Sequence, residues 1–348
     1  MHRVIEAKSL DEIETTADEA LSIYRDLVRT RRFDERALSL QRQGWMSSYP
    51  QFRGQEASQV GAAHALRDRD MLVPTYRSNA FQIARGVPMS DIFLFRRGHT
   101  EFASGHDVAA FPQAIPIATQ IPHAVGLGMA AKFRGDDRVV CCYFGDGATS
   151  EGDFHEGCNF AGVFDAPVVF FCENNGWAIS RPTHKQTASE SIAQKATAYG
   201  FEGLRVDGND PIAVKQVVEE AHERASAGEP TLVESLTYRQ GAHSSSDDPS
   251  RYEHTQQDLP AWRTADPLDR FETYLTEQGV LEQEQIEAIE DDVNAELMAA
   301  IESAEQTPRP DPDELFEEVY ERPTARQRRQ RAWLESHVAQ HGHPSFDY

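Results

Sequence analysis

The stretch Val139-Val140-Cys141-Cys142-Tyr143-Phe144-Gly145-Asp146-Gly147 decides the fold. An unbroken apolar run closed by a turn signal reads as a strand buried on both faces of a parallel sheet. The pattern returns in Val168-Val169-Phe170-Phe171-Cys172, closed by Glu173-Asn174-Asn175. Between them, Ser150 to Phe164 reads as a helix. The result is a strand–helix–strand unit with polar residues at the carboxyl ends of both strands. Open α/β sheets bind ligands at that end.

The residue types at those ends suit a divalent cation holding a diphosphate. Asp146 offers a carboxylate oxygen and Asn175 an amide oxygen, and a backbone carbonyl in the following turn, at Trp177, offers a third. Mg²⁺ takes about six oxygens in octahedral geometry and shares them with substrate phosphates. Gly145 and Gly147 leave room for close backbone approach. Ser150 and Glu151 start the next helix with capping chemistry, and a helix N-terminus attracts anions. Taken singly, Gly-Asp-Gly is a tight turn and Asn-Asn a loop. Their pairing at the ends of two buried strands points to a ligand.

Working outward, residues 17–43 read as a long amphipathic helix, with Leu21, Tyr24, Leu27, Val28 and Leu38 at helical spacing. Residues 54–66 and 78–97 add helices around a short strand near 71–74, and 98–116 read as a loop. A helix near 119–133 carries the small residues Ala124, Gly126, Gly128, Ala130 and Ala131. Strands near 139–144, 167–172, 203–206 and 231–237 alternate with helices near 150–164, 189–199 and 211–227. That alternation predicts an α/β fold with a doubly wound parallel sheet. Residues 239–260 form a long polar loop, and helices follow near 267–278 and 282–305. A break at Pro308, Pro310 and Pro312 precedes a last helical segment from Asp313. The expected division is an N-terminal helical arm (1–50), an α/β binding domain (51–260) and a C-terminal helical extension (261–348).

The 348 residues, 39% hydrophobic, suffice for one large α/β domain and its extension. No apolar run reaches the ~20 residues of a membrane span. The N-terminus, with Glu6, Asp11, Glu12 and Glu14, resembles neither a secretory signal nor a transit peptide, which predicts a prokaryotic cytoplasmic protein or a mature form. Formal net charge is −23, and only five of the 34 basic residues are lysines (Lys8, Lys132, Lys185, Lys195, Lys215). Such a surface repels itself at low salt and fits a halophilic, salt-adapted cytoplasm. Nucleic-acid binding, which needs a basic footprint, is excluded. Cys141, Cys142, Cys158 and Cys172 fall in buried elements without metal-ligand spacing and read as reduced core thiols.

The Gly-Asp-Gly and Asn-Asn pair resembles the thiamin diphosphate motif. Pro74-Thr75-Tyr76-Arg77, Ile117-Ala118-Thr119-Gln120-Ile121-Pro122, the run from Tyr143 to Phe160, and Tyr238-Arg239-Gln240-Gly241-Ala242-His243-Ser244 look like the same family. It is the alpha subunit of the decarboxylating component of 2-oxoacid dehydrogenase complexes, and the likeness covers almost the whole chain. Two features lean towards its branched-chain branch: Ser246-Asp247-Asp248-Pro249-Ser250-Arg251-Tyr252, and the His341-to-Tyr348 tail ending Pro344-Ser345-Phe346-Asp347-Tyr348.

The resemblance implies the thiamin diphosphate-binding fold of the diphosphate- and metal-binding type, with thiamin diphosphate and Mg²⁺ as cofactors. It implies metal ligands at Asp146, Asn175 and Trp177. Cofactor contacts fall at Tyr76, Arg77, Ile115, Ile117, Gly145, Asp146, Gly147, Ala148, Asn175, Trp177, Ile179 and His243. His243 is the implied catalytic residue, and His106 and Thr75 the implied substrate-side residues. Ser244 corresponds to a serine that organellar relatives phosphorylate, where added charge would repel the cofactor. Two positions depart from the branched-chain pattern. Glu173 stands where those relatives often carry Arg, so a phosphate contact is lost or Glu173 turns away; some pyruvate-type relatives have Glu there. Thr75 replaces a longer polar residue.

The implied reaction is oxidative decarboxylation of a 2-oxoacid, branched-chain favoured, with reductive transfer of the acyl group to a lipoyl group. A second cofactor domain is missing, which implies a beta subunit in an α2β2 tetramer. A lipoyl-bearing dihydrolipoyl acyltransferase is the implied acceptor. The rivals are a pyruvate or acetoin dehydrogenase alpha subunit and a non-catalytic paralogue. Intact Asp146, Asn175, Arg77 and His243 argue against the last.

Overall fold

Both decisive runs are strands of one parallel sheet. The computed structural model describes residues 1–253, 259–308, 311, 313–317 and 319–342. The strands are β1 (Met71–Val73), β2 (Val140–Gly145), β3 (Val168–Asn174), a small hairpin of β4 (Trp177–Ala178) and β5 (Arg181–Pro182), then β6 (Glu202–Asp207) and β7 (Thr231–Leu236). The main sheet runs β1-β2-β3-β7-β6 with every neighbour parallel, as the alternating pattern predicts. Alternate side chains enter two separate cores. Cys141, Tyr143, Val169 and Phe171 face one; Val140, Cys142, Phe144, Val168, Phe170 and Cys172 face the other. Burial on both faces is why these strands read as continuous apolar runs. The four cysteines are buried and free.

Helices Ala17–Arg42, Glu56–His64, Pro211–Ser226 and Pro267–Glu277 cover the first face, and Gln120–Arg134 and Gly152–Phe164 the second. The first helix starts at Thr16, whose hydroxyl accepts the Glu19 N–H at 3.2 Å while the Glu19 carboxylate accepts the Thr16 N–H, a reciprocal cap. His2 adds a bridge to the free edge of β6 at Val206.

Three elements differ from expectation. The helix expected over 78–97 is two, Asn79–Ala84 and Met89–Arg96. Gly86 at φ +91° ends the first and Pro88 caps the second. The helix expected over 189–199 shrinks to a 3₁₀ segment, Ala193–Tyr199, ended by Gly200 at φ +84°. The last helical segment divides into Glu314–Glu317 and Ala325–His341, with Pro323 between. Pro310, Pro312 and the Pro344-to-Tyr348 tail lie outside the described residues. Among the described residues no helix is long and apolar enough to cross a membrane.

The helix Gln283–Gln306 exposes Glu284, Glu287, Asp291, Asp292, Glu302 and Glu305 and contains no basic residue. Its acids Glu290, Asp292 and Glu296 pair with Arg32, Arg25 and Arg29 of the first helix, and the more exposed of these, with Arg25 and Arg32, contribute little. Stability should therefore rise with salt. Between about 0.1 M and molar KCl the screening length falls from ~10 to ~3 Å, and the melting temperature should climb by roughly 5 °C. A flat or falling curve in calorimetry would show that self-repulsion has no bearing on this fold.

Candidate active site

The register sets the two motifs side by side: Gly145 lies opposite Glu173, and Asn174 opposite Leu236 of β7. Asp146 follows β2 directly, in a 3₁₀ turn (Asp146–Ser150) that leads into the helix Gly152–Phe164. Its carboxylate is buried. Oδ2 accepts hydrogen bonds from the Thr183 hydroxyl at 2.6 Å and Gln186 Nε2 at 3.3 Å. Oδ1 is buried without a partner. Burial raises the carboxyl above its usual range, with Thr183 and the Arg263 charge offsetting part of this. A buried carboxylate oxygen without a hydrogen bond is free to accept a further ligand.

Asn175 is fixed by two contacts: its Nδ2 donates to Gln55 Oε1 at 2.8 Å, and its Oδ1 accepts the Trp177 N–H at 3.0 Å. Trp177 opens the β4–β5 hairpin, its ring buried against Tyr252 at 5.1 Å. One carboxylate, one amide oxygen and one carbonyl form an all-oxygen set that suits a hard dication sharing its shell with phosphate. Among the described residues no cluster of three or more His, Cys, Asp or Glu side chains could hold a metal. Gly147 is required by packing, since a Cβ there would lie 2.8 Å from the Ala178 Cβ.

Beside these residues opens a cavity of about 390 Å³. Thr75, Tyr76, Arg77, Ile117, Gly145, Gly147, Ala148, Asn175, Trp177, Ile179 and His243 line it, so residues far apart in sequence meet on one surface. Ile179 at φ +54° and Ala118 at φ +70° stand in its wall. Left-handed backbone at non-glycine residues is strain that clusters at functional sites.

Arg77 is buried and reaches across the cavity. It donates to the Gln51 carbonyl, to the His243 carbonyl at 2.7 Å and to His243 Nδ1 at 3.0 Å. With Nδ1 accepting, the imidazole proton resides on Nε2. Burial and the charges of Arg77 and Arg239 lower the His243 pKa to about 4, with Asp247 offsetting in part. The ring is therefore neutral at pH 7 and offers an Nε2–H donor. Asp247 accepts the His243 N–H at 2.8 Å and the Tyr252 hydroxyl. Arg239 donates to Tyr252 at 3.1 Å and to the Ile179 carbonyl at 2.9 Å, tying the polar loop to the strained turn.

Glu173 does not turn away. It lines the cavity at 1% exposure, with Gln59 Nε2 at 3.5 Å from one oxygen. Burial pushes its carboxyl up to about 8, which shifts it towards the neutral form near pH 7.

Other expected residues fall elsewhere. Ile115 is half-exposed and outside the cavity lining. His106 also lies outside, with Nδ1 accepting the Val108 N–H at 3.2 Å and its ring on Phe102 at 4.9 Å. Ser244 flanks His243, its hydroxyl 3.5 Å from that of Ser246. Sequence reasoning missed Gln55, Thr183 and Gln186 as supports. It also passed over Arg239, although Arg239 stands within the quoted Tyr238-to-Ser244 motif.

A family model described as Dehydrogenase E1 component matches residues 24–313. The chain belongs to the dehydrogenase E1 component family. It is 45% identical over 323 residues to the 3-methyl-2-oxobutanoate dehydrogenase subunit alpha of Mycobacterium tuberculosis, covering 91% of this chain and 87% of the relative. It is 41% identical over 311 residues to the pyruvate dehydrogenase E1 component subunit alpha of Staphylococcus aureus, covering 88% and 83%. The motifs identified in the sequence are thus those of an E1 alpha subunit. E1 enzymes work with thiamin diphosphate, and the cavity beside Asp146 and Asn175 fits that group.

Proposed function

We propose that this E1 alpha subunit carries the diphosphate half of a 2-oxoacid dehydrogenase active site, acting on a branched-chain 2-oxoacid. The observation that supports this most is the convergence of Arg77, Asn175 and His243 on one cavity, with the unpartnered Asp146 oxygen at the end of β2. When bound, thiamin diphosphate supplies the nucleophilic carbon and the electron sink for decarboxylation. Asp146 Oδ1, the Asn175 amide oxygen and the Trp177 carbonyl would hold Mg²⁺. The Arg77 guanidinium suits the diphosphate oxygens. His243 would hold a proton at Nε2 for the sulfur that leaves as a thiol when reductive acyl transfer opens the lipoyl disulfide.

The 45% relative and the Ser246-to-Tyr252 run favour the branched-chain substrate, and Asp247 and Tyr252 of that run hold the His243 loop. Glu173 and the 41% relatives favour pyruvate. The assignment extends to a cytoplasmic α2β2 tetramer serving a lipoyl-bearing dihydrolipoyl acyltransferase. Phe133, Phe160, Val163 and Phe164 are exposed on two packed helices, with Phe160 and Phe164 stacked, in keeping with a partner subunit. A phosphate on Ser244 would set negative charge where the diphosphate binds.

The isolated chain should turn over no 2-oxoacid with a dye acceptor, and co-expression with the beta subunit should restore turnover. A panel of branched-chain acids and pyruvate then ranks the substrates by kcat/KM. Turnover by the purified chain alone would refute the subunit assignment, and a preference for pyruvate would move the substrate to the second reading.

A further inference from the structure

We propose that Asp34, a buried residue of the first helix outside the cavity, is a positioning residue for the active site. It fixes the segment Tyr49–Gly54, which in turn sets Arg77 and the loop bearing His243. The proposal rests on the roles given above to Arg77 and His243.

Asp34 is completely buried beside Phe33, Ala37, Tyr49 and Phe52. Its Oδ1 accepts the Tyr49 hydroxyl at 2.7 Å and the Phe52 N–H at 3.1 Å. The same helix secures the rest of the segment. Arg31 donates to Glu56 at 2.6 Å, Glu56 accepts the Gly54 N–H at 2.7 Å, and Glu35 pairs with Arg53 at 2.9 Å. The opposite edge of the segment meets the site. The Gln51 carbonyl accepts from Arg77. The Tyr49 carbonyl accepts the Ser245 N–H at 3.0 Å, the Tyr49 N–H donates to Ser245 Oγ at 3.2 Å, and the Arg53 carbonyl accepts the Gln240 N–H at 3.0 Å. The fit leaves no room for a side chain: a Cβ on Gly54, itself at φ +87°, would lie 2.5 Å from the Tyr238 carbonyl oxygen.

Arg77 is thus held between two acceptor groups, the segment at Gln51 and the loop at His243, and its direction depends on both. Packing alone does not explain an acid at position 34. Its Oδ2 has no partner, and burial with the neighbouring Glu56 carboxylate pushes Asp34 up to about 7. An apolar residue would fill the site without that cost. The carboxyl oxygen instead defines the backbone of Tyr49 to Phe52.

The test uses the tetramer assembled with the beta subunit. Tryptic cleavage after the exposed Arg251 in the cofactor-free protein reports loop order, and calorimetry reports thiamin diphosphate affinity with Mg²⁺. Asp34→Ala should speed cleavage and weaken affinity, each by about tenfold, with unchanged far-ultraviolet dichroism. Asp34→Asn keeps an acceptor for both donors and should restore both to within about twofold of the unaltered protein. Tyr49→Phe removes one donor and should give an intermediate effect; it carries the test if Asp34→Ala fails to fold. Unaltered cleavage and affinity in Asp34→Ala or Tyr49→Phe, or an Asn variant no better than the Ala variant, overturns the proposal. If Arg77→Ala and His243→Ala keep full affinity and transfer, the site assignment fails instead, and the cleavage comparison still decides the role of Asp34.

Discussion

Asp146→Ala should lower Mg²⁺-dependent affinity for thiamin diphosphate by on the order of a hundredfold or more, about 2.7 kcal/mol. Asp146 is the sole carboxylate in the expected donor set, and its Oδ1 is buried without a hydrogen-bond partner. Structural damage should be small. Burial already raises the carboxyl's pKa, so the charged group is costly in the cofactor-free fold. Alanine removes that cost and leaves only Thr183 and Gln186 short of an acceptor. The cofactor-free variant should melt within a few degrees of the unaltered protein, while the increase in melting temperature on adding cofactor and Mg²⁺ should vanish. Titration calorimetry of the tetramer measures the first effect and scanning calorimetry the second. Unchanged affinity would remove Asp146 from the metal site.

His243→Ala should cut lipoyl-dependent acyl transfer by about 10²–10⁴-fold, the usual contribution of a positioned proton donor or acceptor. Cofactor affinity should change by less than about tenfold, because Arg77 keeps its Gln51 acceptor. The cofactor-free protein should show the His243 imidazole titrating near pH 4 in proton resonance measurements, below the ordinary 6.5. The sign follows from its surroundings: burial and two neighbouring guanidinium groups oppose a further positive charge. A diphosphate bound to Arg77 supplies negative charge and should move the titration upward. Retention of most of the transfer rate would make His243 a loop-fixing residue.

The sheet and the polar turns that end β2 and β3 were legible in sequence for one physical reason. Strands buried on both faces leave continuous apolar runs, and the polar residues that interrupt them mark the strand ends. The resemblance of short motifs brought in Arg77 and His243, which periodicity could not have joined across the chain. Gln55, Thr183 and Gln186 stayed hidden because a buried polar residue looks like any surface residue until its partner is known. The 98–116 segment has no periodicity to orient it, so His106 and Ile115 could not be separated from Ile117, which does line the cavity. At Glu173 the ionised form would oppose a phosphate. Burial eases that conflict by shifting the carboxyl towards the neutral form, a property of the folded surroundings.

The strand order β1-β2-β3-β7-β6 bears on how the protein is made. During synthesis β1, β2 and β3 emerge in the order in which they pair, and the Asp146 and Asn175 turns come with them. The other edge of β3 then waits for β7, the last strand of the sheet to leave the ribosome. Until then that edge presents unpaired backbone groups along Val168–Asn174, a template for wrong pairing. Closing it requires a long loop through β6 and the helix Pro211–Ser226, and non-local parallel pairing is slow. The His243 loop follows β7 directly. The side of the cavity that carries His243 therefore forms after the side that carries Arg77 and Asn175, and the edge of β3 stays open to misassociation in the interval between them.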